Sequence, residues 1–366
     1  MKYEELKNIT DSVRRGDKAA MTLAWKRLDS LAKPPKSLGV LEETAAKLAG
    51  VTGEVKNRIE RRRIIVMAAD NGVTDEGVSS APRSVTLTQT KNILHGITGV
   101  CALAKAFNAE VEVVDVGIDG DVSDPSIINR KLMRGTDNIR KTAAMSRQTA
   151  IDAIAVGIER AKQAKADGMD AIGTGEMGIG NTTTSSAVLA ALTGLPAEDV
   201  TGRGAGMTDS AYENKKRIIR EALAVNKPDA GDVIDVLAKV GGLDIAAMTG
   251  LFIGAAAERM PVVVDGFISI VAALSAARLC PAAVDYMFLS HASYEIGYNA
   301  AAEALGLKPF MLLEMRLGEG SGCPMGFMIM DAACAVISDI ATFAEASISD
   351  EYLDAISEGD CFSVDK

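Results

Sequence analysis

Six short apolar runs punctuate the chain: Ile64–Ala69, Val111–Val116, Ala171–Gly173, Val262–Val264, Tyr286–Leu289 and Phe310–Leu313. Each ends in small, polar or turn-forming residues, and none alternates apolar with polar positions. Runs of this kind suit strands buried on both faces, as in a sheet covered by helices. Between them lie segments long enough for helices, among them Ser146–Lys165, Asp244–Arg259 and Ser293–Leu305. Strands alternating with helices predict βαβ crossovers, and so a mostly parallel sheet in an α/β fold. The two ends read differently. Glu4–Leu31 and Leu38–Leu48 have helical spacing with charged faces, and Cys323–Ile348 is a long helical pattern rich in Ala, Met and Ile. They predict a small helical domain, residues 1–60 plus 323–366, and a large α/β domain of residues 61–322. Asp119–Asn138 holds Gly and Pro without a strong period and predicts a long loop.

Composition narrows the function more than the fold. The chain has 366 residues, above the usual size of one domain, which supports the two-domain division. The 39 Lys and Arg against 49 Asp and Glu leave a net charge of −10. The only basic block, Arg61-Arg62-Arg63, precedes an apolar run. An acidic chain without basic stripes is a poor nucleic-acid binder, so any phosphorylated ligand must be held by local devices. Five scattered cysteines, with no CxxC pair, suggest neither a disulfide frame nor a metal site, but reduced thiols in the cytoplasm. The N-terminus has no apolar signal region. The uncharged stretch Met177–Ala197 carries Asn, Thr, Ser, Gly and Pro, which excludes a membrane span.

Four segments carry candidate chemistry. The densest is Gly173-Thr174-Gly175-Glu176-Met177-Gly178-Ile179-Gly180-Asn181-Thr182-Thr183, between a strand pattern and a helical one, with Asn181 or Thr182 as helix cap. A Gly-rich turn at a helix N-terminus presents backbone N–H groups to an anion, aided by the helix dipole. The embedded G-x-G-x-x-G (Gly173, Gly175, Gly178) is a poor dinucleotide fingerprint. It belongs to the third strand rather than the first, and Glu176 inside it repels a pyrophosphate. Thr201-Gly202-Arg203-Gly204-Ala205-Gly206-Met207 is a second Gly cluster, followed by Asp209, Lys215 and Lys216. A lysine reaching back would complement the cradle, although taken alone both suit solvated helix charges.

In Arg316-Leu317-Gly318-Glu319-Gly320-Ser321-Gly322, a carboxylate lies isolated between glycines beyond the sixth strand candidate. Ligands of open α/β sheets sit at strand carboxyl ends, so Glu319 is a candidate general base, with a turn Glu as the plainer alternative. After the first strand comes Asp70-Asn71-Gly72, which suits an Asx turn with Gly72 at positive φ. Gln89 follows in a helical pattern, and Asp265-Gly266 repeats the theme of a carboxylate at a strand end. His95 reads as structural, whereas the hydroxyls of Ser290-His291-Ala292-Ser293 can face a site after the fifth strand. No Cys/His/Asp cluster of metal spacing occurs and no G-x-S-x-G elbow, so catalysis must rest on carboxylates, amides and positioning.

Together these segments resemble the nicotinate-nucleotide–dimethylbenzimidazole phosphoribosyltransferase (CobT) family, from Leu28-Asp29-Ser30-Leu31-Ala32-Lys33-Pro34-Pro35-Lys36-Ser37-Leu38-Gly39 to beyond Gly322. The most specific matches are Gly175–Thr183 and Met315–Gly322. The resemblance implies a Rossmann-like parallel six-stranded sheet with a small helical domain from both chain ends. It implies transfer of 5-phosphoribose from nicotinate mononucleotide to an aromatic base, with release of nicotinate, forming the α-riboside phosphate for cobamide assembly. It implies small-molecule substrates, no cofactor or metal, and a homodimer or a heterodimer with a related subunit. Glu319 then matches the catalytic base, and Glu176 a carboxylate near the ribose and the reacting centre. Gly175, Gly178, Ile179, Gly180, Asn181, Thr182, Gly204, Lys215 and Asp265 match phosphate and ribose positions. Ser293 and Gly320 match the nicotinate side. Ala81, Gln89, Met207 and Leu317 match the acceptor pocket, and Asp70 and Asp244 other lining positions.

Three positions depart from the family pattern: Asn71 where His is common, Ala81 where a polar or aromatic residue precedes Pro82, and Lys36 where Gly is usual. Ala81 removes bulk or a hydrogen-bonding group from the acceptor pocket, and suggests a relaxed or phenol-directed acceptor choice. Two other classes compete with the transferase. One is an inactive partner subunit, opposed by the retained Glu176, Glu319 and glycine turn. The other is a dinucleotide-dependent oxidoreductase, opposed by the misplaced fingerprint.

Overall fold

The structure, a computed structural model, describes residues 1–351 and Leu353. The remainder of the expected C-terminal domain segment, including Cys361, lies outside the described residues. Two compact units form. The larger comprises Met1–Arg15 and Glu60–Met328, the smaller Gly16–Ile59 and the chain from Ile329. The expected boundaries, 1–60 and 323–366, therefore shift at both ends. Met1–Arg15 belongs to the large unit because the Met1 amino group pairs with Asp152 at 2.9 Å, Leu6 is buried, and the Arg14 carbonyl accepts from Tyr286 Oη at 2.9 Å.

The large unit is built on six parallel strands: β1 (Arg62–Ala69), β2 (Glu110–Gly117), β3 (Ile128–Asn129), β4 (Ala171–Met177), β5 (Val262–Val264) and β6 (Met287–Leu289). Their spatial order is β3-β2-β1-β4-β5-β6. Five coincide with the apolar runs, and β4 and β5 are buried along their whole length, as two-sided burial by helices requires. The sixth differs. Phe310–Leu313 makes one bridge, Met311 to His291, and Leu312 is 83% exposed, so its apolar character does not mark a strand. The sheet edge is instead Ile128–Asn129, inside the expected loop, paired with Val114 and Asp115.

Helices Arg147–Ala166 and Leu243–Ala257 pack against each other, close to their predicted spans. Leu243–Ala257 is apolar nearly all round, and fourteen of its fifteen residues are buried, which is the pattern of a central helix rather than a surface one. The chain order reverses between β1 and β4, so the loops after those two strands diverge and leave a crevice at the carboxyl edge.

The small unit joins helices Lys18–Ser30 and Val40–Thr52 to the second half of the helix Cys323–Asp339. Its core sets Leu28 and Ile337 among Ala20, Ala24, Ala45, Ala49 and Ala333, and the alanines allow close helix approach. Lys36 holds φ +56°, a left-handed conformation that Gly adopts without strain.

Candidate active site

The crevice at the β1/β4 switch point is a cavity of about 290 Å³. Glu176, near the end of β4, enters it from the strand. The turn Gly178-Ile179-Gly180-Asn181-Thr182 follows and lines one wall. Gly180, at φ +92°, caps helix Asn181–Thr193. Neither Asn181 nor Thr182, the caps expected from sequence, holds that place: the Asn181 amide donates to Glu176 Oε2 and, at 3.0 Å, to Asp244 Oδ2, and the Thr182 hydroxyl accepts from Lys215. Gly173 and Gly175 lie inside β4, so the G-x-G-x-x-G string is not one phosphate turn, and the dinucleotide reading loses its geometric basis.

Glu319 lines the cavity from the loop Arg316–Gly322. Three successive residues take positive φ: Gly318 (+84°), Glu319 (+63°) and Gly320 (+91°). A Glu in this region is strained, and strain of this kind persists where surrounding contacts over-determine it. Those contacts are specific. Gln89 Nε2 donates to Glu319 Oε1 at 2.7 Å, and the Val100 N–H donates to Oε2 at 3.2 Å. Val100 lies in the first turn of helix Gly99–Ala106, so the carboxylate receives one of that helix's free N–H groups. Two further bonds hold the loop: the Gly320 and Gly322 N–H groups donate to Asp265 at 3.0 and 2.6 Å. Asp265, just after β5, is thus a buried brace for the Glu319 loop as well as a cavity-lining group.

The loop also needs Gly175. A Cβ there would stand 2.5 Å from the Glu319 carbonyl oxygen and 2.9 Å from Val66 Cγ2. Gly175→Ala is expected to lift the loop from β4 and lower kcat about 10²-fold, since a displacement near 1 Å costs that much. Steady-state kinetics beside circular dichroism checks this; unchanged kcat in a folded variant would show that the loop tolerates the push.

Lys215 resolves the ambiguity between two adjacent lysines. It is fully buried, and its Nζ donates to Thr182 Oγ1 at 2.9 Å and to the Gly202 carbonyl at 3.0 Å. Lys216 instead pairs with Glu213 and lies over the Tyr212 ring. Burial lowers the Lys215 ammonium to about 8, opposed by the nearby Glu295 carboxylate. Glu295, unanticipated from sequence, lines the cavity beside Ser293 and fills the space against Gly202 where a side chain would project.

The carboxylates here share one cause of perturbation. Burial pushes Glu176 up to about 8, with Asp244 adding and Asn181 opposing. Burial pushes Asp265 up to about 7, opposed by the Gly322 and Gly320 N–H groups, and Asp244 up to about 6, opposed by Asn181.

Of the predicted site residues, Glu319, Glu176, Gly178, Ile179, Gly180, Asn181, Thr182, Gly204, Asp265, Ser293, Ala81, Gln89 and Leu317 line the cavity together. Asp244 and Lys215 stand behind Asn181 and Thr182, while Gly175 and Gly320 pack against each other beneath Glu319. Met207 lies outside the cavity lining, its carbonyl accepting from Arg203. Asp70 is also outside it: its carboxylate accepts the Asp119 N–H at 2.8 Å and faces Arg83, so it forms no Asx turn into the crevice. Gly72 does not take positive φ; its lack of a side chain admits the Thr136 carbonyl. Thr86 has no counterpart among the expected residues. Its hydroxyl accepts the Ile179 N–H at 3.0 Å, tying the glycine turn to the helix Val85–Leu94 that carries Gln89.

A glycine turn at a helix N-terminus, facing buried carboxylates at the switch point of a doubly wound sheet, is equipment suited to an enzyme acting on a phosphorylated ligand. A family model described as phosphoribosyltransferase matches residues 13–348. The nicotinate-nucleotide–dimethylbenzimidazole phosphoribosyltransferase of Clostridium perfringens is 48% identical over 359 residues, covering 98% of this chain and 99% of that one. Its counterpart from Ruminiclostridium cellulolyticum is 50% identical over 348 residues, covering 95% and 98%. The crystal structure of CobT from Thermus thermophilus superposes with a TM-score of 0.88 at 38% identity, covering 91% of this chain and 99% of that one. The chain belongs to the nicotinate-nucleotide–dimethylbenzimidazole phosphoribosyltransferase family.

Proposed function

We propose that this protein transfers 5-phosphoribose from nicotinate mononucleotide to an aromatic lower-ligand base, releasing nicotinate and forming the α-riboside phosphate used in cobamide assembly. The observation that carries this reading is convergence. The glycine turn and Glu319, 137 to 141 residues apart in the chain, line one cavity of sugar-phosphate size. The turn Gly178–Thr182, with Gly204 and Lys215 behind it, holds the phosphate through N–H groups and a buried ammonium. Glu176 stands nearest the ribose. Departure of nicotinate with the C1′–N bonding pair builds positive charge on C1′, which an ionised Glu176 stabilises. Glu319 removes the acceptor's proton as its nucleophilic atom bonds to C1′ from the opposite face, inverting the β-linkage to α. Because no pyrophosphate leaves, this scheme calls for no metal.

Ser293 and Gly320 lie on the nicotinate side. Ala81, Gln89 and Leu317 form the acceptor end, where the small Ala81 leaves room for benzimidazole-like or phenolic rings. We place the enzyme in the cytoplasm as a dimer of like or related subunits. Cys101, Cys280 and Cys323 form no disulfide, which fits a reducing compartment. Exposed Tyr294, Ile296, Leu312, Leu313 and Leu317 lie on adjoining segments, the last of them lining the cavity, and suit an interface.

The test is incubation of purified protein with nicotinate mononucleotide and either dimethylbenzimidazole or phenol, with chromatography of products. Nicotinate release together with an α-riboside phosphate is expected with dimethylbenzimidazole. No product with any aromatic base overturns the reading, and no phenolic riboside removes only the wider acceptor range.

A further inference from the structure

Gln89 reaches Glu319 with its NH₂ end, not its oxygen. An amide side chain has nearly the same shape either way round, so packing alone does not choose between the two ends. The choice is made one turn further along the same helix. Asn92 follows Gln89 by three residues on helix Val85–Leu94, a spacing that puts the two side chains on one face. Asn92 Nδ2 donates to Gln89 Oε1 at 3.0 Å, and Gln89 Nε2 donates to Glu319 Oε1 at 2.7 Å. Asn92 is half-buried and is not among the residues lining the cavity.

We infer that Asn92 is a positioning residue: by donating to the Gln89 carbonyl oxygen it fixes the amide so that a donor, and not a lone pair, meets the Glu319 carboxylate. With the amide reversed, Gln89 Oε1 faces Glu319 Oε1, two acceptors at hydrogen-bond distance. The carboxylate then swings away, keeping only the Val100 N–H, and leaves the position from which it takes the acceptor's proton. This inference rests on the proposed role of Glu319 as base.

Two substitutions separate orientation from packing. Asn92→Asp keeps the shape but replaces the donor by an acceptor, so it draws the Gln89 NH₂ toward itself and turns the oxygen to Glu319. Asn92→Ala removes the constraint without imposing the wrong one. The expected order of kcat is parent, then Asn92→Ala, then Asn92→Asp. Losses of about 3-fold and about 10–100-fold correspond to a loosened and a reversed charge-assisted hydrogen bond. KM for nicotinate mononucleotide stays within about 2-fold, because the phosphate turn is untouched. Asn92→Ser, whose hydroxyl still donates, recovers part of the loss seen in Asn92→Ala. A packing role predicts the reverse order, with the isosteric Asp tolerated and Ala worse; that order, or parental kcat in Asn92→Asp, overturns the inference. In a Glu319→Gln background Asn92→Asp adds no further loss, since the amide at 319 accepts either end of Gln89. Full kcat in Glu319→Gln alone removes the base reading. A strong loss there beside parental kcat in Asn92→Asp removes only the positioning of Gln89.

Discussion

Glu319→Gln is expected to lower kcat by about 10²–10⁴-fold, the usual contribution of a positioned general base, with little change in KM for the phosphoribosyl donor. The substitution suits the question because the amide fills the same volume. Its carbonyl oxygen still accepts from Gln89 or Val100, so the left-handed loop Gly318–Gly320 keeps its contacts to Asp265 and Gly175. What is lost is the ability to take a proton. In the proposed complex the donor's phosphate sits at the turn Gly178–Thr182, on another wall of the cavity, so KM should be insulated. Single-turnover measurement of nicotinate release separates chemistry from product departure. A variant that retains a third or more of parental kcat would leave Glu319 as a structural loop residue and move the proton transfer to another group.

Much of this site is legible in the sequence because α/β folds place function in the loops at strand carboxyl ends, and those loops carry the Gly, Asp and Glu signals. That rule alone locates Glu176, Asp265 and the glycine turn. Adjacent lysines are harder, since one helical step rotates a side chain by about 100°. A signal is nevertheless present. Lys215 shares an apolar stripe with Ile218, Ile219 and Ala222, all buried, whereas Lys216 does not. Other features have no local signature. The edge strand Ile128–Asn129 is two residues long and exists only through pairing with β2. Phe310–Leu313 has the composition of a strand, but its neighbours supply a single bridge. Thr86, Asn92 and Glu295 act through partners remote in sequence or through one specific amide orientation. No pattern of apolar and polar positions records that.

Glu176→Gln is expected to move stability and activity in opposite directions across one pH window. In the folded protein the Glu176 carboxyl is pushed up to about 8 by burial, aided by Asp244 and Asp265, from an ordinary 4.5. Between those two values the native state holds a proton that the unfolded chain has lost. Native stability is therefore full below about 4.5 and falls as pH rises toward 8, because the buried side chain must then ionise beside other carboxylates. Asp265 and Asp244, raised to about 7 and about 6, act in the same sense over lower ranges. A Gln at 176 cannot ionise. It should raise stability by up to roughly 4 kcal/mol at pH 8, with the advantage shrinking toward pH 5, and thermal melts at both values would show it. In the proposed mechanism the charge that burdens the ligand-free fold is also the one that stabilises the cationic C1′ of the departing donor. kcat/KM of the parent, which reports groups of the free enzyme, should accordingly rise with pH up to about 8, and the variant should lose both that limb and about 10²–10³-fold in rate. Equal melting of parent and variant at pH 8 would mean that Glu176 carries no buried charge there. An unchanged pH limb in the variant would assign the titration to Asp265 or Asp244, and the electrostatic support of the transition state with it.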